Sequence, residues 1–240
     1  MILTQILALC RLEISEIITT DVISDVNLTT LVNLACREFV KVTDALPKSD
    51  NFDLVLNLTE YPLSTYVTDF GKPRKEGLWI YNKVSAKWNQ LESTTLPYLS
   101  LNYPSYLNSA AGCPLRYSID GDTLTLHAKA SSTYAGTDYL KLYYFGRSVD
   151  MSSGTHYPFS GSATVHYPHL ADYEEDLILY VKYKVKPLFK KGSDAEEAKQ
   201  MFYAKCTDAK VKFLSRPDLI PNVRMNGAGN MSQAQNAFKG

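Results

Sequence analysis

Apolar positions repeat every three to four residues at both ends of the chain and every two residues through its middle. Ile6, Leu9, Ile14 and Ile17/Ile18 share one helical face, which predicts a core-facing helix over residues 2 to 19. The β-branched run from Ile18 to Thr20 weakens its end. Leu31, Leu34, Ala35, Phe39 and Val42 predict a second helix that begins near 27–30, and Leu46-Pro47-Lys48-Ser49-Asp50 reads as a turn and a boundary. From residue 51 to about 160 the period is that of strands. The runs 53–58, 77–81, 87–91, 115–119, 123–127 and 139–145 are rich in β-formers and separated by turn residues. Asp120-Gly121 supplies the positive φ angles of a tight hairpin turn, and a second hairpin pairs 78–81 with 88–91. Residues 94–114 and 150–158 read as long loops.

The helical period returns from Pro168 to Pro217. Leu170, Tyr173, Leu177, Tyr180, Val181 and Leu188 form one apolar stripe. Asp172, Glu174, Glu175 and Asp176 load the start of this stretch, and Lys182, Lys184, Lys186, Lys190 and Lys191 its end, a gradient that complements the helix dipole. Leu179, Val181, Tyr183 and Val185 alternate with Tyr180 and three lysines, which also fits a strand; the charge gradient and the downstream cap favour helix. Pro187 ends or kinks the helix, Gly192 supplies a left-handed stop, and Ser193 to Glu196 has the spacing of a capping box. In the last helix Ala195, Ala198, Phe202, Ala209 and Phe213 share a face. The expected class is α+β. An N-terminal helix pair and a C-terminal helical hairpin pack together (residues 1–50 plus 168–216), around a β-rich antiparallel insertion (51–167) and before an extended C-terminal arm (217–240). The arm has little periodicity, but Leu219, Ile220, Val223, Met225 and Phe238 are spaced to dock an extended segment. A frayed terminus is the competing reading.

Composition narrows the function. The formal net charge is zero, so no global field favours nucleic acid or an anionic membrane. Tyrosine is abundant at 17 residues, as suits strands and partly covered surfaces. Cys10, Cys36, Cys113 and Cys206 have no metal or redox spacing and read as small hydrophobes in a reduced, intracellular folding environment. The apolar start lacks a basic residue before it and a small residue at Leu9, so it fits neither a signal peptide nor a bilayer span. His156, His166 and His169 read as loop histidines and not as a metal site. The acidic cluster could imitate a glycosidase carboxylate pair, but the helix dipole already accounts for it. No phosphate-binding glycine loop and no nucleophile elbow is present, so no catalytic residue, metal ligand or cofactor is expected. Trp79, Tyr81 and Trp88 could form a stacking platform for sugars or bases, with the competing reading that Trp79 and Tyr81 face the sheet core. The lysine-rich helix end could touch nucleic acid or simply be solvated. Asn27-Leu28-Thr29 and Asn57-Leu58-Thr59 match glycosylation acceptors only if the chain is secreted.

The order of these motifs resembles the head-to-tail adaptor (connector) proteins of tailed bacteriophages. Asn33-Leu-Ala-Cys-Arg-Glu-Phe39 is similar to the family's second helix, and Tyr117-Ser-Ile-Asp-Gly-Asp-Thr-Leu-Thr-Leu126 to its hairpin. Leu140-Lys-Leu-Tyr-Tyr144 is similar to its following strand, and Pro168 through Asp176, Ile178 and Tyr180 to the closing helix. The loop at 94–114 and the strand-like 179–185 depart from that pattern. The resemblance implies a non-enzymatic virion protein, made in the host cytoplasm and placed at the head–tail junction. Copies would form a closed homo-oligomeric ring, a dodecamer, with Leu170, Tyr173, Leu177, Val181, Phe202 and Phe213 in its helical body. Leu219, Ile220, Val223, Arg224, Met225 and Phe238 would form an arm that binds the portal protein. Downstream tail or neck proteins would meet the β-rich part, and DNA would pass through the channel without sequence-specific binding; no membrane partner is implied. The alternative is a β-rich carbohydrate- or receptor-binding tail module with a helical assembly domain. A cell-wall hydrolase acting through Glu174 or Glu175 is a third.

Overall fold

The computed structural model of the protein describes residues 1–14, 23–103, 110–189 and 192–214. Helix α1 (Leu3–Ile14) turns Leu3, Ile6, Cys10 and Ile14 inward. The predicted continuation to residue 19 lies outside the described residues. Helix α2 (Asp25–Thr43) starts earlier than its apolar pattern because Ser24 caps it, its hydroxyl accepting from the Asn27 N–H at 3.3 Å. Asp44 closes it in the left-handed conformation, with its N–H on the Val40 carbonyl. Helices α5 (Leu177–Val185) and α6 (Gly192–Leu214) complete the helical body. Leu170, Tyr173, Leu177, Val181, Phe202 and Phe213 are all buried in its core, together with Ile6, Phe39 and Cys206. Aromatic edges fix the packing: Phe39 lies 5.4 Å from Tyr173, Tyr173 5.6 Å from Phe213, and Tyr180 5.2 Å from Phe202.

Here the chain departs from its pattern in four places. Pro168–Tyr173 is a 3-10 turn, and the α-helix opens only at Leu177. Glu174 is buried, and its carboxylate is met by the Met1 amino group and by His166 Nε2 at 2.9 Å. A buried carboxylate needs such partners, so this acid answers long-range contacts and not a helix dipole. Leu188, placed on the apolar stripe by spacing, is 71 % exposed on a second 3-10 turn (Lys186–Phe189) that contains Pro187. Gly192 is the first residue of α6 and not a left-handed stop.

The middle of the chain forms β1 (Pro47–Leu54), β2 (Glu60–Pro62), α3 (Leu63–Tyr66), β3 (Phe70–Asn82), β4 (Lys87–Gln90), β5 (Glu92–Ser93), α4 (Leu96–Asn102), β6 (Arg116–Asp120), β7 (Thr123–His127) and β8 (Gly136–Gly146). They make two four-stranded sheets, ordered β1-β8-β3-β4 and β2-β7-β6-β5. The pairing is antiparallel except between β5 and β6. Leu78, Ile80, Leu140 and Leu142 of one sheet share a core with Tyr61, Tyr117, Leu124 and Leu126 of the other. Residues 46–50 are not a turn. Pro47 opens β1, an edge strand, where a missing N–H costs no ladder bond. The loop expected at 94–114 contains α4, capped by Thr95. In the β6–β7 hairpin Asp120 pairs with Thr123, so the turn is centred on Gly121-Asp122, with Gly121 at φ 58°.

The β module runs from Pro47 to Gly146 and not to 167, because Met151 and Phe159 return to the helical core. The polar residues of the Asn33–Phe39 motif hold that return. Asn33 Nδ2 donates to the Met151 carbonyl (3.1 Å) while its Oδ1 accepts the Met151 N–H (3.0 Å). Arg37 pairs with Asp150, and Glu38 accepts the Tyr203 hydroxyl at 3.1 Å. Burial pushes the Cys10, Cys36 and Cys206 thiols up to about 12, so they stay protonated and pack as small hydrophobes.

Candidate functional site

Alternation along β8 sends Leu140, Leu142 and Tyr144 into the core and Lys141, Tyr143 and Phe145 to the opposite face, while Tyr139, half-buried at the strand's start, also packs against the core. In β3, Leu78 and Ile80 are the inward pair, so Trp79 and Tyr81 share that outer face. The expectation that Trp79 and Tyr81 point into the sheet core is therefore corrected. Both phases of this run are apolar, and the leucines of β8 decide which one is buried.

Register assembles the outer residues into a sheet-wide aromatic surface. Tyr81 stands opposite Trp88 of β4, with ring centroids 5.5 Å apart, and meets Tyr139 of β8 edge-on at 5.1 Å. Trp79 meets Tyr143 at 6.4 Å, and Trp88 is 37 % exposed. Trp79, Tyr81, Trp88, Tyr143 and Phe145 belong to neither core. Cations lie over the rings: Lys141 is 5.3 Å from Tyr143, Arg74 is 6.0 and 5.7 Å from Tyr143 and Phe145, and Lys72 is 5.5 Å from Phe145.

A bulge in β3 between Pro73 and Leu78 re-aims the strand and carries Arg74 and Glu76 onto this surface. Arg74 Nη2 lies 3.0 Å from Glu76 Oε1. The Glu76 carbonyl accepts both the Trp79 indole N–H (2.9 Å) and the Gln90 amide (2.8 Å), which fixes the indole plane. Gly77 makes the bulge possible, for its φ is +59° and a Cβ there would overlap the Tyr117 hydroxyl. Gly77→Ala is expected to lose at least about 1–2 kcal/mol from backbone strain alone, read as a lower midpoint in urea unfolding; an unchanged midpoint would reject this account of the bulge.

Arg74, Lys141, Tyr139, Tyr143 and Phe145 were not singled out by sequence, although the Tyr-x-Lys-x-Tyr-x-Phe alternation was visible. The other constellations weighed from sequence have these surroundings. His166 faces Glu174, His169 Nε2 faces the Ala45 carbonyl, and His156 Nδ1 accepts the Ser152 N–H. Among the described residues no group of three or more His, Cys, Asp or Glu side chains could hold a metal ion. Glu174 is buried while its neighbour Glu175 is exposed, so the two do not form a carboxylate pair in a cleft. Lys182 pairs with Glu13, Lys186 with Asp194, and Lys184 lies 4.5 Å from the Tyr183 ring centroid, so these lysines are engaged within the chain. Among the described residues no helix is long and apolar enough to cross a membrane. Leu219, Ile220, Val223, Arg224, Met225 and Phe238 lie outside the described residues. No family model matches the chain, and no curated protein matches its sequence.

Proposed function

We propose that the protein is a structural ring subunit of the head-to-tail adaptor type, joining a portal vertex to a tail. The observation that carries this reading is the order in which the chain builds two cores: a helix pair, a β excursion, then two closing helices. That is the order of the resemblance. The helical body also leaves apolar surface uncovered. On α6, Met201, Ala204 and Val211 are exposed on the side away from Phe202, Cys206 and Ala209, as a subunit contact requires. In this reading the helical body forms the ring, the C-terminal arm binds the portal, and the aromatic sheet face meets a tail or neck protein. Ring and virion placement stand or fall on a mass measurement. Light scattering of the chain mixed with a portal should give a ring-sized complex, lost on truncation after Arg216 and on joint Met201→Lys, Val211→Lys substitution. A chain that stays monomeric beside every portal tried removes the proposal.

The outward aromatic face favours a second reading, a carbohydrate-binding tail module. Planar rings flanked by cations suit sugar faces and acidic substituents. Saturable quenching of tryptophan fluorescence by an oligosaccharide, abolished in Trp88→Ala, would put this reading first.

A further inference from the structure

Where the helical body meets the β module, a cavity of about 710 Å³ opens between the C-terminal end of α2, the start of β3 and the exit of β8. Four cations line it: Arg37 and Lys41 one turn apart on α2, Lys72 on β3, and Arg147 beyond β8. Its two carboxylates are already engaged. Asp44 faces Lys72 at 2.7 Å and Lys210 at 3.6 Å, while Asp69 pairs with Lys48 and accepts from the Tyr144 hydroxyl at 2.8 Å. Arg37 is held by Asp150, and Lys41 has Glu38 only at 3.9 Å. Among the described residues Arg147 has no ion-pair partner; its backbone N–H is fixed on the Asp69 carbonyl at 2.7 Å. Ser148, the next residue, is 8 % exposed and lines the same cavity, and among the described residues its Oγ has no hydrogen-bond partner. A buried hydroxyl without a partner and a guanidinium without an ion pair, both among the described residues, thus line one cavity, which is half of an oxyanion site.

We propose that this cavity binds a small phosphate-type oxyanion, held by Arg147 and Lys41 and accepting the Ser148 hydroxyl. Three features favour a small anion. The excess of lining cations over carboxylates favours negative charge, the guanidinium offers a planar donor pair, and the volume of about 710 Å³ leaves room for a phosphate-type group with its hydration. Val40, Val149 and Phe145 supply apolar wall beside the cations. The proposal does not depend on ring assembly.

The test titrates the full chain with inorganic phosphate and, separately, pyrophosphate, each against sodium chloride at matched ionic strength. Thermal midpoint and the amide resonances of Arg147, Ser148 and Val149 report binding. Saturable shifts at those amides are expected, with Arg147→Gln weakening affinity about tenfold or more and Ser148→Ala weakening it to a lesser degree. Arg147 is exposed and Gln keeps the backbone contact, so the variant should fold. A response equal to that of chloride overturns the proposal. So does saturable binding that survives Arg147→Gln, because the anion would then sit elsewhere.

Discussion

Phe202→Ala should destabilise the helical body by about 3–5 kcal/mol, the usual cost of emptying a fully buried aromatic site. Phe202 is fully buried on α6, with the Tyr180 ring at 5.2 Å and the Tyr203 ring at 5.4 Å. Both partners are held by other contacts, Tyr203 through its hydroxyl on Glu38 and Tyr180 through α5, so the space left cannot close by a simple side-chain shift. Hydrogen exchange is the informative measurement. Amides of α5 and α6 should lose protection, whereas those of Leu124, Leu140 and Leu142 should keep theirs, because among the described residues the two cores share none. Equal loss at both sets would show that the body and the β module unfold as one unit.

The complementary change is Leu142→Ala, for which about 2–5 kcal/mol is expected. Leu142 is fully buried at the centre of β8, paired with Asp50 of β1 on one side and Leu78 of β3 on the other. Its neighbours Lys141 and Tyr143 lie on the aromatic face, so loosening the core beneath them should also disturb that surface. Tryptophan emission is expected to shift to the red at denaturant concentrations where the helical signal is still intact. Coincident transitions would contradict the separation of cores, and unchanged emission would contradict the coupling between core and face.

Much of the architecture was legible in the chain. Three-to-four-residue spacing marks α1, α2 and α6, and β-rich runs mark β6, β7 and β8 closely. Leu170, Tyr173, Leu177, Val181, Phe202 and Phe213, expected in the helical body, are buried in its core, whereas Leu34 and Leu188, also placed on apolar faces, are exposed. What sequence did not settle was decided by contacts distant along the chain. Glu174 looks like a helix-start acid until Met1 and His166 are brought against it. Trp79-Ile80-Tyr81 is apolar in both phases, and only pairing with β8 shows that the tryptophan faces outward. Pro47 and Asp50 read as a turn because edge-strand tolerance for proline depends on a position in the sheet that local sequence does not encode. The cavity at the module junction draws its cations from α2, β3 and the residue after β8, so no local motif announced it.

The chain leaves the helical body and comes back to it through neighbouring strands: the Gly146 N–H meets the Leu46 carbonyl at 2.8 Å, and Pro47 stands opposite Phe145. This two-strand neck sets how the molecule carries mechanical load. A pull that separates body from module travels along β1 and β8 together and tries to slide them past β3. Backbone hydrogen bonds between β8 and β3 then share the force in shear, instead of opening one after another as in a peeled hairpin.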